Sequence, residues 1–344
     1  MSSLKAFTEK VGMARFIIGL FLLFLLLVAP ILGLRFDLCL SDTITRFGMY
    51  SVLILSLVPM IQSGCSLNFG IPLGIVAGVF GSVVSLNWEL KGFAGIFVAM
   101  VVGVVIAAIV GYLYGKLLNA IKGDEMIIAT YVGLAVVAFM SIAWVKLPFK
   151  NPLLILGYGG NGMRQNINLD GYWMNQLSNV LSFKIGPYFY FPTGLFLFFG
   201  LMCFLVWFFF RTKTGTAMTA VGSNPDYARA AGINVDRMRI LSVVLSTCIA
   251  AIGIIVYEQS FGFVQLYTAP QNHTFSTIAA ILIGGAAINK ASIKNVIIGG
   301  FLFFGILYMA PVVINSSIKL DIADVVRLLV SNGMILYALT RKEK

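Results

Sequence analysis

Charge is scarce in this chain. Of its 344 residues, 11% are Asp, Glu, Lys or Arg, against about 25% in a soluble globular domain. A soluble fold of this length would lack a polar coat. The apolar excess, 59% of residues with a mean hydropathy of +0.95, must therefore face lipid. Histidine is scarcer still. The single His273 has no partner at metal or nucleophile spacing, which argues against an intramembrane hydrolase. The four cysteines, Cys39, Cys65, Cys203 and Cys248, are far apart and read as isolated thiols, with neither a disulfide nor a redox role. No Gly-x-x-x-x-Gly-Lys-Ser/Thr run is present, so this sequence carries no phosphate-binding loop for ATP. Acidic residues are almost missing from the middles of the apolar runs. That counts against an ion-gradient-driven secondary transporter, which uses such groups as proton or sodium sites.

Apolar runs are abundant. A membrane-spanning helix needs about 20 mostly apolar residues. That rule predicts an all-α, polytopic helix bundle as a single domain over 1–344, with spans near 16–34, 44–61, 71–87, 93–114, 126–145, 188–210, 239–257, 274–288, 295–314 and 322–339. The runs are continuous rather than alternating, which excludes a barrel. Lys5, Lys10 and Arg15 precede the first run. Its length exceeds a signal-peptide core and fits an uncleaved span. With the N-terminus inside, the larger share of the Lys and Arg falls on inner segments, including Lys116, Lys122, Arg211, Lys213, Lys290 and Lys294. This predicts both ends inside and an even number of spans. The net charge of +11 is then explained by inner loops and anionic lipid headgroups, not by nucleic acid.

Two connections are long. The outer one, 146–187, holds the glycine cluster Leu156–Gly162, which reads as turns. The inner one, 211–238, specifies a short helix from Pro225 to Ala231. Asn224 is a good N-cap, Pro225 suits the first position, and Asp226 complements the positive helix end. Gly232 is placed to end the helix in a left-handed conformation. Ala228, Ala230 and Ala231 keep its surface low for a close approach, while Tyr227 and Arg229 project as larger contacts.

The stretch from Ala220 to Arg237, with Val221-Gly-Ser-Asn-Pro-Asp-Tyr-Ala-Arg-Ala-Ala-Gly232 at its centre, resembles the coupling segment of bacterial ABC-importer permeases for ribose-type sugars, nucleosides and branched-chain amino acids. Ser63–Gly70 and Ala280–Ala286 are similar to other motifs of those permeases, and the likeness runs in order along nearly the whole chain. Gly222-Ser-Asn224 departs from the Gly-Gly-Asn of the sugar branch, and the Asn224-Pro225 and Ala228-Arg229 pairs look closer to the nucleoside branch. The resemblance implies about ten spans in a bacterial plasma membrane and a cytoplasmic ATPase that receives the 225–231 helix. It also implies an extracytoplasmic solute-binding protein and a second permease copy or sister subunit. The chain itself would need no cofactor, ATP being consumed by the partner.

A solute pathway is expected where helices break or where polar groups enter spans. Residues 62–86, with Gly64, Gly70, Gly74, Gly78 and Gly81, and residues 274–288, with Gly284-Gly285, are the two candidate breaks; close helix packing is the competing reading. Ser66, Asn68, Thr130, Glu258 and Gln259 are the candidate polar groups, and Phe69 or Phe261 could stack on a sugar or base. Asp324 and Arg327, one turn apart, read as a local ion pair.

Overall fold

The computed structural model describes residues 13–149, 151–156, 162–287, 289–318 and 322–340. The chain opens with α1 (Met13–Ile31), α2 (Phe36–Leu55), α3 (Leu57–Gln62), α4 (Ile71–Asn87), α5 (Gly92–Ala120) and α6 (Glu125–Lys146). The connection 147–192 carries β1 (Asn166–Asn168), β2 (Phe183–Ile185) and β3 (Phe189–Phe191). There follow α7 (Thr193–Arg211), α8 (Lys213–Ser223), α9 (Pro225–Ala230), α10 (Val235–Phe261), β4 (Phe263–Gln265), α11 (Ala269–Ile283), α12 (Ile293–Ile318) and α13 (Ala323–Thr340). Each of the ten apolar runs coincides with a helix or a broken helix pair. Among the described residues, six helices are long and apolar enough to cross a membrane by length and composition. The bundle is polytopic and helical, with four short strands among the described residues added to it.

Burial sorts the helices. In their most apolar windows, 78% of α2–α3 and 67% of α10 is buried inside the chain, against 17% of α6 and 28% of α5 and of α7. Helices α2, α4, α10 and α12 therefore form the centre, and α5, α6 and α7 turn apolar faces outward. The centre is held by backbone-close packing through small residues, since lipid gives apolar side chains little reason to prefer one another. Gly74 and Gly78 of α4 lie against Ala250 and Ala251 of α10, and Gly81 lies against the Ala99–Gly103 stretch of α5. Helix α4 runs unbroken past all three, so at these positions packing, not pathway, is the outcome.

The breaks have local causes. Pro59 has no amide for the Leu55 carbonyl and its ring crowds that carbonyl, which separates α2 from α3 at Ser56. The first true break is 63–70, where Gly64 (φ +71°) and Ser66 (φ +66°) take left-handed backbone. The second begins at Gly284-Gly285, which closes α11. Helix α11 starts at Ala269 rather than 274, because Thr268 and Pro270 set its N-terminus. Helix α2 starts eight residues before the apolar run, since Asp37, Asp42 and Arg46 are helical although they lower hydropathy. The predicted span at 188 is displaced too. Phe189–Phe191 pairs with Phe183–Ile185 around Gly186, and α7 begins only after Pro192. Strand β1 pairs antiparallel with β4, tying the 147–192 connection to the end of α10. Most of the glycine cluster (157–161), Lys5 and Lys10, and the side chain of Asp324 lie outside the described residues.

Candidate transport cavity and coupling surface

The 211–238 connection is more ordered than its composition suggests. It holds two helices, not one. Thr212 caps α8 by accepting from the Gly215 amide at 3.2 Å. Asn224 then caps α9, its side-chain oxygen accepting from the amides of Asp226 at 3.1 Å and Tyr227 at 3.0 Å. At the other end Gly232 stands at φ +79°, its amide donates to the Arg229 carbonyl, and the Ile233 amide donates to the Ala228 carbonyl. This paired closure is the expected left-handed helix stop. Ala231 is the C-cap, one residue past the helix. Tyr227 is 72% exposed and Arg229 is exposed, paired with Asp226 at 3.0 Å. One expected contact is corrected. Ala228 is fully buried between Val221 and Val235, so it anchors α9 to the chain rather than lowering an outer surface.

Helix α8 rests on the first break. A Cβ on Gly222 would overlap the Gln62 carbonyl oxygen and stand 2.9 Å from the Gly64 amide nitrogen. The Gln62 side chain in turn donates to the Ala291 carbonyl, in the second break. Two ion pairs brace the same side. Lys122 meets Asp236 at 2.8 Å, and the largely buried Arg239 meets Glu125 at 2.5 Å, so the α5–α6 turn is fastened to the start of α10.

The six predicted pathway residues are not gathered at one place. Asn68 is fully buried and spends its hydrogen bonds inside the fold. It donates to Ser246 Oγ at 2.8 Å, while its oxygen accepts from the Gly70 amide at 3.0 Å and from Tyr114 at 3.3 Å. Replacing Asn68 by alanine leaves Tyr114 and Ser246 short of a partner. It is expected to cost about 1–3 kcal/mol, read as a lower unfolding midpoint of the purified protein. Ser66 lies in the same break, half-buried. Gln259 binds Ser178 and accepts from the Leu177 amide, pinning the 147–192 connection to α10. Glu258 accepts from Ser82 Oγ at 2.5 Å, between α4 and α10, and its second oxygen has no partner among the described residues. Phe69 and Thr130 border a crevice of about 30 Å³, room for little more than one water.

The larger space lies elsewhere. Two adjoining cavities of about 270 and 420 Å³ share Tyr50, Tyr257, Leu307 and Arg327. They open where α2, α10, α11, α12 and α13 meet. Tyr50 and Phe304 stack at 3.7 Å and Tyr257 and Phe261 at 5.2 Å between ring centres, giving an aromatic wall. Arg46 and Tyr308 extend it on one side; Gln265, Asn272, His273, Ser276, Ser331 and Asn332 give the other side its polar groups. Of the residues singled out from sequence as solute contacts, only Phe261 is here. A usable signal was present: Arg46/Tyr50, Tyr257/Phe261 and Phe304/Tyr308 are each four apart, and so share a helix face. Among the described residues no group of three His, Cys, Asp or Glu could hold a metal ion.

Comparison with known proteins gives a consistent set. The family described as branched-chain amino acid transport system, permease component, matches residues 39–339. The nucleoside ABC transporter permease protein of Lactococcus lactis subsp. cremoris is 26% identical over 232 residues, 66% of this chain and 59% of the relative. The autoinducer 2 import system permease protein of Escherichia coli O9:H4 is 28% identical over 198 residues, 55% of this chain and 56% of the relative. The ribose import permease protein of Escherichia coli K12 is 24% identical over 246 residues, 71% and 68% of the two chains. The first two alignments thus span less than two thirds of those relatives. No solved structure matches the chain.

Proposed function

Because the chain belongs to the family of branched-chain amino acid transport system permease components, we propose that it is the membrane-spanning subunit of an ATP-driven importer. It sits in the plasma membrane of a bacterium, crosses ten times with both ends inside, and pairs with a second copy or a sister subunit. A cytoplasmic ATPase supplies the energy and an extracytoplasmic binding protein delivers the solute, a sugar or nucleoside by analogy with the relatives. The observation that carries this reading, beyond family membership, is α9. It is capped at both ends, presents Tyr227 and Arg229 outward, and is seated on α8 against the first helix break. An unengaged connector has no need of such a fixed, exposed two-turn helix.

Docking on the ATPase makes two substitutions informative. Arg229→Glu breaks only an exposed ion pair, so the fold should hold. Gly232→Pro cannot take a positive φ and removes the amide that closes α9. Both variants are expected to insert normally and to lose solute uptake by about tenfold to a hundredfold, the scale of losing an anchor residue at a docking surface. Uptake at the parent level in both would overturn the docking role of α9. The chain's co-purification with an ATPase encoded beside it separates this reading from an ion-driven transporter.

A further inference from the structure

Helix α13 has two faces. Val326, Val330 and Met334 turn inward and pack on the bundle. Val325, Leu329, Asn332 and Leu336 follow the spacing i, i+4, i+7, i+11 and share the opposite face with Leu328. The four apolar members of that face are 57–65% exposed, and Asn332 is exposed among them. Asn332 stands near the middle of a predicted span, and among the described residues its side chain has no hydrogen-bond partner. An amide turned to hydrocarbon is costly and ordinarily meets another protein group or a cavity. Leu328 and Asn332 also border the 420 Å³ cavity, so that cavity reaches the same exposed face.

We propose that this face of α13 is the contact with a second copy of the chain, α13 against α13, with Asn332 hydrogen-bonded to Asn332 of the partner subunit. Lipid tails would satisfy the leucines but not the amide. A second copy satisfies both. An Asn side chain carries donor and acceptor, so across a two-fold axis it is its own complement. One Asn in an otherwise apolar seam of this spacing fixes the register and the number of chains, and such pairs hold helices together in lipid. The partner's α13 then closes the edge of the 420 Å³ cavity, which is incomplete in one copy. The proposal rests on the importer reading, which asks for two permease subunits, and narrows it to a homodimer with a named face.

Disulfide crosslinking of the full chain in native membranes tests the face. Leu329→Cys and Leu336→Cys, made singly, are expected to give a crosslinked homodimer on treatment with copper phenanthroline. Phe139→Cys, on α6 and 69% exposed, should not. The four native cysteines are buried or half-buried, and the parent chain sets the background. Asn332→Leu adds no polar group to the bilayer and should leave the fold intact. It is expected to weaken the dimer about threefold to thirtyfold, read by energy transfer between labelled copies on dilution with lipid. Asn332→Gln, which keeps the amide, should retain part of the affinity. Crosslinking at neither 329 nor 336, crosslinking equal at 139, or a dimer as stable in Asn332→Leu as in the parent would overturn the proposal. So would crosslinking only to a different chain, which would assign the face to a sister subunit. ATP-coupled uptake is measured separately: a crosslinked dimer that transports nothing keeps the α13 contact and removes the importer reading.

Discussion

Gly222→Val is expected to abolish uptake while leaving a membrane-inserted protein. Gly222 is the penultimate residue of α8, and its α-carbon side meets backbone, not movable side chains: the Gln62 carbonyl and the Gly64 amide. The added isopropyl group, one Cβ carrying two methyls, cannot be absorbed there by a rotamer change. Either α8 lifts away or the 62–64 turn shifts. Overpacking of this kind costs about 1–3 kcal/mol, but the functional cost is larger than the energetic one. The same turn holds the second break through the Gln62 bond to Ala291, so its displacement disturbs both breaks at once. Gly200→Val is the control, because nothing lies within 4 Å of a Cβ at that position. Radiolabelled uptake should fall at least about tenfold in Gly222→Val, the ratio that goes with 1.4 kcal/mol, and stay unchanged in Gly200→Val. Equal uptake by the two variants would remove Gly222 from the coupling route.

Gly299→Val is expected to act on the fold itself. Helices α11 and α12 cross at Gly284 and Gly299. A Cβ on Gly299 would overlap the Ala280 carbonyl, and one on Gly284 would overlap the Asn295 carbonyl. The Asn295 side chain also donates to the Gly284 carbonyl at 2.7 Å, which fixes the depth of the crossing. Small residues at such a seam allow the backbones to touch, and packing is the main force between helices in lipid. A valine at 299 therefore separates the pair along its length. The expected loss is about 3 kcal/mol, the upper end of the overpacking range, seen as a lower detergent-unfolding midpoint and a smaller monodisperse yield than for Gly200→Val. An unfolding midpoint matching the parent would show that α11 and α12 can part without cost.

Much of the frame was legible in the residues themselves. The run 71–87 is α4 to the residue, and Asn224, Pro225 and Gly232 take the capping roles their chemistry predicts. Local rules sufficed because each of these features is decided within a few residues. Helix α8 was not legible: its threonines and glycines read as a connector, yet it is stabilised by packing against the 62–64 turn, a contact with no local trace. The aromatic run at 189–191 was misassigned for a related reason. Its pairing with 183–185 depends on a turn at Gly186, while its composition is that of a span. The cavity was least legible. Its walls come from five helices, and sequence spacing reports one helix face at a time. Asn68 and Gln259 drew attention as polar groups at the ends of apolar runs, but the fold uses them as internal ties.

Helix α10 has a mechanical consequence. Its 27 residues run from beside the α9 closure to the strand that pairs with β1, and it contains no proline. At 1.5 Å per residue that is a rod of about 40 Å, longer than the hydrocarbon layer is thick. A rod pivoting near its middle turns a push at one end into an opposite swing at the other. A tilt of about 5° carries each end of a 40 Å rod by nearly 2 Å. The β1–β4 sheet and the short helix α9 are thus two handles on one lever. Tyr257 and Phe261 ride on the arm next to the sheet, so a push on the α9 end that tilts the rod also moves the aromatic wall.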